Sequence, residues 1–496
     1  MDHDTTASAD ATVLLDLEGL SVRSVSRAPD GSKVVTVQTA DECASACPEC
    51  GVFAGEVKAY VCTRPRDLPA IGAPVRLVWR KRRWWCREPL CPRRSFTESL
   101  PVLPARARIT TRTRALAGDL VVDGITASVQ AAVRATGLAW ATVMDAARIQ
   151  ADRVLAPEAD PVEILGIDEV RRGQPRWRPA EPPPTPDPTT TPDPTTTPDP
   201  TTPDPTTTTT PAATPAATPD PAAAPADPVV PERESAKARV LADRWHVGFT
   251  DIGGSQGMLG QVEGRTGDDV AYWLAMHTPA WRDRIRYVAI DMCTVFVSAI
   301  RRYLPNATIV VDHFHIVKLA NDTVAEVRRR VTTQLRGRRG RAKDPEYTVR
   351  NLLRRNRESL PDKAFAKLWN TLIDLGEPGL TILKTWIAKE ELRRLLALAG
   401  TGADRSVISH RLYRFYTWCA DTDIPELERL AGTISTWWSC IEPFLHTKIT
   451  NAKSEGYNRI VKLDARNAYG YRNPENQRLR TRCATTRKTR QGNDPA

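Results

Sequence analysis

Four acidic residues in this chain of 496 stand where carboxylates could gather around cations. Asp168 closes the apolar run EILGI, Asp291 closes RYVAI, Asp312 closes ATIVV, and Glu455 lies in NAKSEGYNRIVKLD. Short apolar runs of this kind read as buried strands, so each aspartate falls where a strand ends. If the strands ending at Asp168 and Asp291 are parallel neighbours, their carboxylates stand about 5 Å apart. Like charges so close repel unless cations lie between them. Two hard divalent cations about 4 Å apart, held by carboxylate oxygens, form a clamp for in-line displacement at a phosphodiester. Asp312 competes for the second position, but one strand further out it would stand roughly 10 Å from Asp168. Asp291 is therefore preferred. Either aspartate alone would read as an ordinary strand-end turn; two such ends in one sheet favour metal.

The third carboxylate should come from a helix. In NAKSEGYNRIVKLD, helical spacing puts Asn451, Glu455, Asn458, Arg459 and Lys462 on one face and Tyr457, Ile460 and Val461 on the other. The apolar face is expected to anchor the helix to the sheet, with Glu455 projecting from the polar one beside Arg459 and Lys462, whose charges suit an anionic partner.

Six of the ten cysteines fall between Cys43 and Cys91. Cys47 and Cys50 sit in CPEC, Cys86 and Cys91 in CREPLC. Two short-spaced pairs can close a tetrahedral site of four thiolates, in which zinc replaces the core that so small a unit cannot build. Cys43 and Cys62 are left over. Ten cysteines are too few for a disulfide scaffold of this length, and their clustering suggests metal in a reducing compartment.

In TASVQAAVRATGLAWATVMDAARIQAD, a helix carrying Val129 and Val133 meets a turn at Gly137, and a second helix carries Val143 and Ala147. That is the length and punctuation of a helix-turn-helix, with Trp140 and Thr142 among the positions expected to face the major groove of DNA. Charge points the same way. The net formal charge is +11, with twelve Arg or Lys against two acids from Arg328 to Arg357, and seven against two from Tyr471 onward. One basic run is usually a solvated helix face; two beside a zinc module favour a polyanionic partner. No basic segment followed by a long apolar stretch opens the chain, and no run of about 18 apolar residues occurs. A cytoplasmic, nucleoid-associated protein that does not span a membrane is expected.

The clearest boundary is the Pro/Thr-rich stretch over residues 179–235, with TPDPTTTPDP repeats. It lacks apolar residues to offset ordering entropy and reads as a disordered insertion. The strands EILGID and WHVGFTDI flank it, so it enters one domain through a hairpin loop, where added length costs little. Beyond it, strands and helices alternate, which predicts a mixed sheet with parallel crossovers.

Taken together, CPEC with CREPLC, GIDE, AIDM, LPNATIVVDHFHIVKLAN and KSEGYNRIVKLDARNAYGYRN resemble the DDE transposases of bacterial insertion sequences of the ISL-three type. The resemblance implies a multidomain chain. Its parts would be a zinc-binding module at 40–105, a helix-turn-helix domain at 106–158, and an α/β ribonuclease H-like catalytic core at 160–178 and 236–317. An all-α insertion would follow at 318–444, then a catalytic helix segment at 445–475 and a basic tail at 476–496. By match of motif, Asp168, Asp291 and Glu455 would bind two Mg (or Mn) ions, and Asp312 and His315 of DHFH would support them. Zinc would be structural. The implied activity is metal-dependent cleavage and strand transfer on DNA at terminal inverted repeats, by a homodimer or higher oligomer. The alternative is an inactive or co-opted relative that only binds DNA.

Overall fold

Buried strands need partners, and the valine- and isoleucine-rich runs of this chain find theirs in two sheets. The computed structural model describes residues 11–70, 72–155, 160–173, 175–179, 239–242 and 244–492. The first sheet is built on β5 (Ala73–Trp85), with β2 (Lys33–Thr39) and β3 (Val57–Thr63) beside it and β1 (Leu20–Arg27) outside β2; β4 (Arg66–Ala70) and β6 (Ser95–Thr97) also pair with β5. Alternation along β5 turns Val75, Leu77 and Trp79 inward onto Leu20, Val22, Val35 and Val37. The sheet thus starts at Leu20, ahead of the expected boundary at residue 40.

Three helices follow: α1 (Thr111–Val122), α2 (Val129–Thr136) and α3 (Trp140–Val154). Ser128 caps α2 by accepting from Ala131 N, and Gly137, left-handed at φ 67°, ends it, a conformation that costs glycine nothing. Ala117, Val121, Ala132, Val143 and Ala147 form the shared core, and Cys483 completes it. Cys483 belongs to the last helix, Pro474–Gly492, so the segment expected as a basic tail is helical. Gln477, Thr481 and Thr485 of that helix are buried, and Arg490 pairs with Asp123 at 2.8 Å.

The second sheet contains β7 (Ile164–Arg171), β10 (Trp245–Asp251), β11 (Met258–Glu263), β12 (Tyr287–Ile290) and β13 (Thr308–Val311), in the order β11-β10-β7-β12-β13. β10 is antiparallel to both of its neighbours, and β7, β12 and β13 run parallel. A separate two-stranded sheet pairs β8 (Arg176–Pro179) antiparallel with β9 (Arg239–Ala242). Beyond Pro179, the expected disordered insertion lies outside the described residues.

Helices α4 (Gly267–Ala275) and α5 (Thr294–Tyr303) connect the strands. An all-helical region then runs through α6 (His313–Arg336), α7 (Asp362–Ile373), α8 (Glu377–Leu396), α9 (Arg405–Asp421) and α10 (Pro425–Thr447). Ile316, Ala320, Val324, Val327 and Val331 make the buried stripe of α6 at helical spacing. Trp386 and Trp437 are buried in this core, whereas Trp369 is 37% exposed. The basic run is partly structural: Arg330 pairs with Glu426, Arg336 with Glu346 and Arg338 with Asp344. Arg329, Arg339, Arg341 and Lys343 remain exposed. Last in this part of the chain comes α11 (Ala452–Asn467). Among the described residues no helix is long and apolar enough to cross a membrane.

Candidate metal centres

The four paired cysteines converge. Cys47 and Cys50 lie in a tight turn in which Gly51 N donates to Cys47 O, and Cys86 follows directly on β5. Sγ of Cys47 is 3.9 Å from that of Cys91, Sγ of Cys50 is 3.7 Å from that of Cys86, and all four lie within 4.8 Å of one another. A tetrahedral zinc with Zn–S bonds of about 2.3 Å requires S···S edges of about 3.8 Å. The cage therefore fits zinc, backed by Trp84 and Phe96. Cys43 and Cys62 are exposed and outside it.

In the second sheet, β12 runs along β7 with Tyr287 opposite Ile164 and Ala289 opposite Gly166, a register that carries Asp291 level with Asp168. β13 lies beyond β12, with Val311 opposite Ile290, so Asp312 is level with them but one strand further out. Asp168 accepts from Glu169 N and from Asn458 Nδ2, both at 2.7 Å. Burial, and next the charge of Asp291, push the Asp168 carboxyl up to about 7. Asp291 is raised too, by burial first; His315 opposes this, while Asp312 and Glu455 add to it. His315 Nε2 stands 3.1 Å from Asp291 Oδ1.

Asp312 behaves differently. It caps α6, accepting from Phe314 N at 3.0 Å, and also accepts from Asn451 N at 3.1 Å. Burial opposes its ionisation, yet His313 and these donors hold its carboxyl below the ordinary value. Its oxygens are committed to joining α6 to the start of α11.

Glu455 projects from the first turn of α11, its side chain 55% exposed and 3.4 Å from Arg459. Its charge raises both Asp168 and Asp291. The carboxylates do not crowd as the thiols do: among the described residues, the four cysteines form the only group of three or more ligands within 4.8 Å of one another. Hard oxygen donors whose charges oppose one another's ionisation fit a divalent cation of the Mg type, since it would relieve that repulsion.

The face that α11 turns to the sheet corrects the sequence reading. It was expected to be apolar, through Tyr457, Ile460 and Val461. Instead Ser454, Asn458, Val461 and Asp464 are the buried positions, and Val461 is the one apolar residue among them. Tyr457 is only partly buried, against Val170 and Met258. Asn451 Nδ2 donates to Ile167 O at 3.2 Å. The helix comes this close because β7 has glycine at 166: a Cβ there would meet Ser454 Oγ at 2.6 Å and Asn451 Oδ1 at 2.8 Å. Asn451 and Asn458 are functional candidates that sequence reasoning left without a role; the available signal was the helical spacing of Asn451, Ser454, Asn458 and Val461. Arg459 and Lys462 point away and are exposed. On α3, Trp140 is 46% exposed and Thr142 half-buried.

A four-thiolate zinc ribbon ahead of a sheet with carboxylates at adjacent strand ends describes a class of zinc-finger proteins with a second, acidic candidate site. The comparisons narrow that class. Residues 242–481 match a family described as transposase, and residues 44–91 match the zinc-finger of transposases IS204/IS1001/IS1096/IS1165. The transposase for insertion sequence element IS1001 of Bordetella parapertussis is 26% identical over 441 residues, 88% of this chain and 88% of that protein. The transposase for insertion sequence element IS1557 of Mycobacterium tuberculosis is 24% identical over 213 residues, 39% of this chain and 46% of that protein. The chain belongs to the zinc-finger transposases of insertion sequences of the ISL3 type.

Proposed function

We propose that this transposase cuts the ends of its element and joins them to target DNA, using Asp168, Asp291 and Glu455 as the carboxylates that hold two Mg or Mn ions. The observation that carries this reading is the parallel pairing of β7 with β12, which levels Asp168 with Asp291; both carboxyls are raised, by burial first and then by neighbouring carboxylates. The order β11-β10-β7-β12-β13 suits a ribonuclease H-like core at 160–178 and 236–317, interrupted by the all-α insertion at 318–444. When bound, the two cations would stabilise attacking and leaving oxygens at the reacting phosphate.

The chain's own groups do the rest. Asn458 fixes one oxygen of Asp168, and His315 steadies Asp291. Asp312 and Asn451 hold α11 against the sheet, so that Glu455 projects from its first turn. Recognition of the terminal inverted repeats falls to the zinc module and to α2 and α3 as a helix-turn-helix, with Trp140 and Thr142 reading bases. Arg459 and Lys462 are exposed to meet DNA phosphates beside Glu455. Two ends must be joined, which calls for a homodimer or higher oligomer, and the reaction belongs in the cytoplasm at the nucleoid. Incubating the full chain with labelled terminal-repeat DNA, a target plasmid and Mg should yield joined products. Binding without any nicking or joining, in Mg or Mn, would instead support a co-opted DNA-binding protein.

A further inference from the structure

Gln261 stands outside both candidate metal centres, and its surroundings are unusual. In the sheet register Asp168 faces Gly248 on β10, and Gly248 faces Gln261 on β11. Directly paired residues send their side chains to the same face, so Gln261 stands in the row of Asp168, two strands and about 10 Å away. Between them Gly248 carries no side chain. Both amide atoms of Gln261 are sealed from solvent without a hydrogen-bond partner among the described residues, an arrangement that lowers stability and that a ligand bonding the amide would relieve.

Gln261 also lies in the wall of two clefts along the outer edge of β11. The larger, of about 680 Å³, has Tyr272, Trp281, Arg478 and Arg482 in its lining. The smaller, of about 410 Å³, shares those arginines and leads to Arg148 of α3. Tyr272 is 64% exposed, and the Trp281 ring is 4.1 Å from that of His277. Arginines in these walls are offset by carboxylates, among them Glu263 and Glu475. So balanced a lining suits an uncharged heteroaromatic ring better than a phosphate. The volume is that of an ordinary small-ligand site.

We propose that this cleft takes one unpaired nucleobase of the DNA being processed, with the Gln261 carboxamide turning out to bond its edge and Tyr272 and Trp281 offering rings for stacking. A carboxamide presents one donor and one acceptor, the complement of an adenine edge, and base stacking on aromatic rings tolerates any sequence. The location beside the reacting phosphate rests on the reading of Asp168 as a metal ligand; the binding of a base does not.

The test uses the full chain and two DNA probes, a terminal-repeat duplex with a single-stranded overhang carrying 2-aminopurine, and its blunt counterpart. Binding should quench the overhang fluorophore. Gln261→Leu should weaken overhang binding about tenfold, leave blunt-duplex affinity unchanged and not lower Tm, since it removes an unsatisfied amide. Trp281→Leu should reduce the quenching. Asp168→Asn should keep it while losing cleavage, which separates this proposal from the catalytic one. Wild-type overhang affinity in Gln261→Leu, or a loss of Tm showing that the amide is structural, overturns the proposal.

Discussion

Arg480 in the last helix donates to Asp464 of α11 at 2.6 Å, with both side chains nearly buried. The same guanidinium donates to Ala127 O, just ahead of α2, at 3.3 Å, and the Tyr471 hydroxyl donates to Asp464. One cation thus links the helix that carries Glu455 to the three-helix unit. Arg480→Met should leave Asp464 buried with too few donors and destabilise the protein by about 3 to 5 kcal/mol. Urea denaturation measures this, and terminal-repeat binding and strand transfer should fall together. Unchanged stability would show the link to be ornamental.

The last helix also shows where sequence reading stops. Its buried positions include Gln477, Thr481 and Thr485, so no apolar stripe marks it, and Arg at seven-against-two density reads as solvent-facing. Burial is affordable there because Asp464 and Asp123 lie opposite Arg480 and Arg490, partners remote in sequence. The inner face of α11 escaped for the same reason, since Asn451 and Asn458 make contacts only the assembled sheet supplies. By contrast, the strand ends at Asp168, Asp291 and Asp312 were legible because a short apolar run stopping on an acid is a local signal. So were the cysteine pairs and the turn at Gly137, each set by neighbours in the chain. Alternating helices and strands announced a mixed sheet with parallel crossovers, whereas β1 and β2 were missed as part of the first sheet because β2 joins β5 through a long-range pairing and β1 through β2.

The thiolate cage should bind one zinc per chain. Cys50→Ser removes one of four ligands and should release the metal, with loss of soluble folding around residues 44–91. Metal analysis beside circular dichroism checks this; a folded, zinc-free variant would contradict it.

Gly166 sets how close α11 comes. Gly166→Ala places a methyl 2.6 Å from Ser454 Oγ and 2.7 Å from Ile252 Cδ1, and should cost about 1 to 3 kcal/mol through overpacking. Because Glu455 rides on the displaced helix, strand transfer should drop by more than terminal-repeat binding does. Equal losses in the two assays would mean that α11 does not position the site.

Asp168 predicts a pH dependence. Its folded pKa, raised to about 7 from an unfolded 3.8, means that the native state binds the extra proton between those values. Stability in chelator should therefore fall as pH rises from about 4 to 7. Asp168→Asn should flatten that slope. Cation binding needs the ionised form, so Mg affinity should rise through the same window, and the pH midpoint of activity should move down as Mg is raised. Calorimetry and rate profiles at two Mg concentrations test both statements.

The central claim is that Asp291, not Asp312, shares metal with Asp168 and Glu455, and strand transfer of a labelled, precleaved end across a Mg and Mn titration tests it most directly. Asp168→Asn, Asp291→Asn and Glu455→Gln should each abolish transfer at every metal concentration while retaining terminal-repeat binding. Asp312→Asn keeps one acceptor oxygen, so it gives up one of the bonds to Phe314 N and Asn451 N together with its charge beside His313, and its activity should be lowered and partly restored by added metal. Full transfer by Asp291→Asn, with none by Asp312→Asn at any metal concentration, would contradict the account.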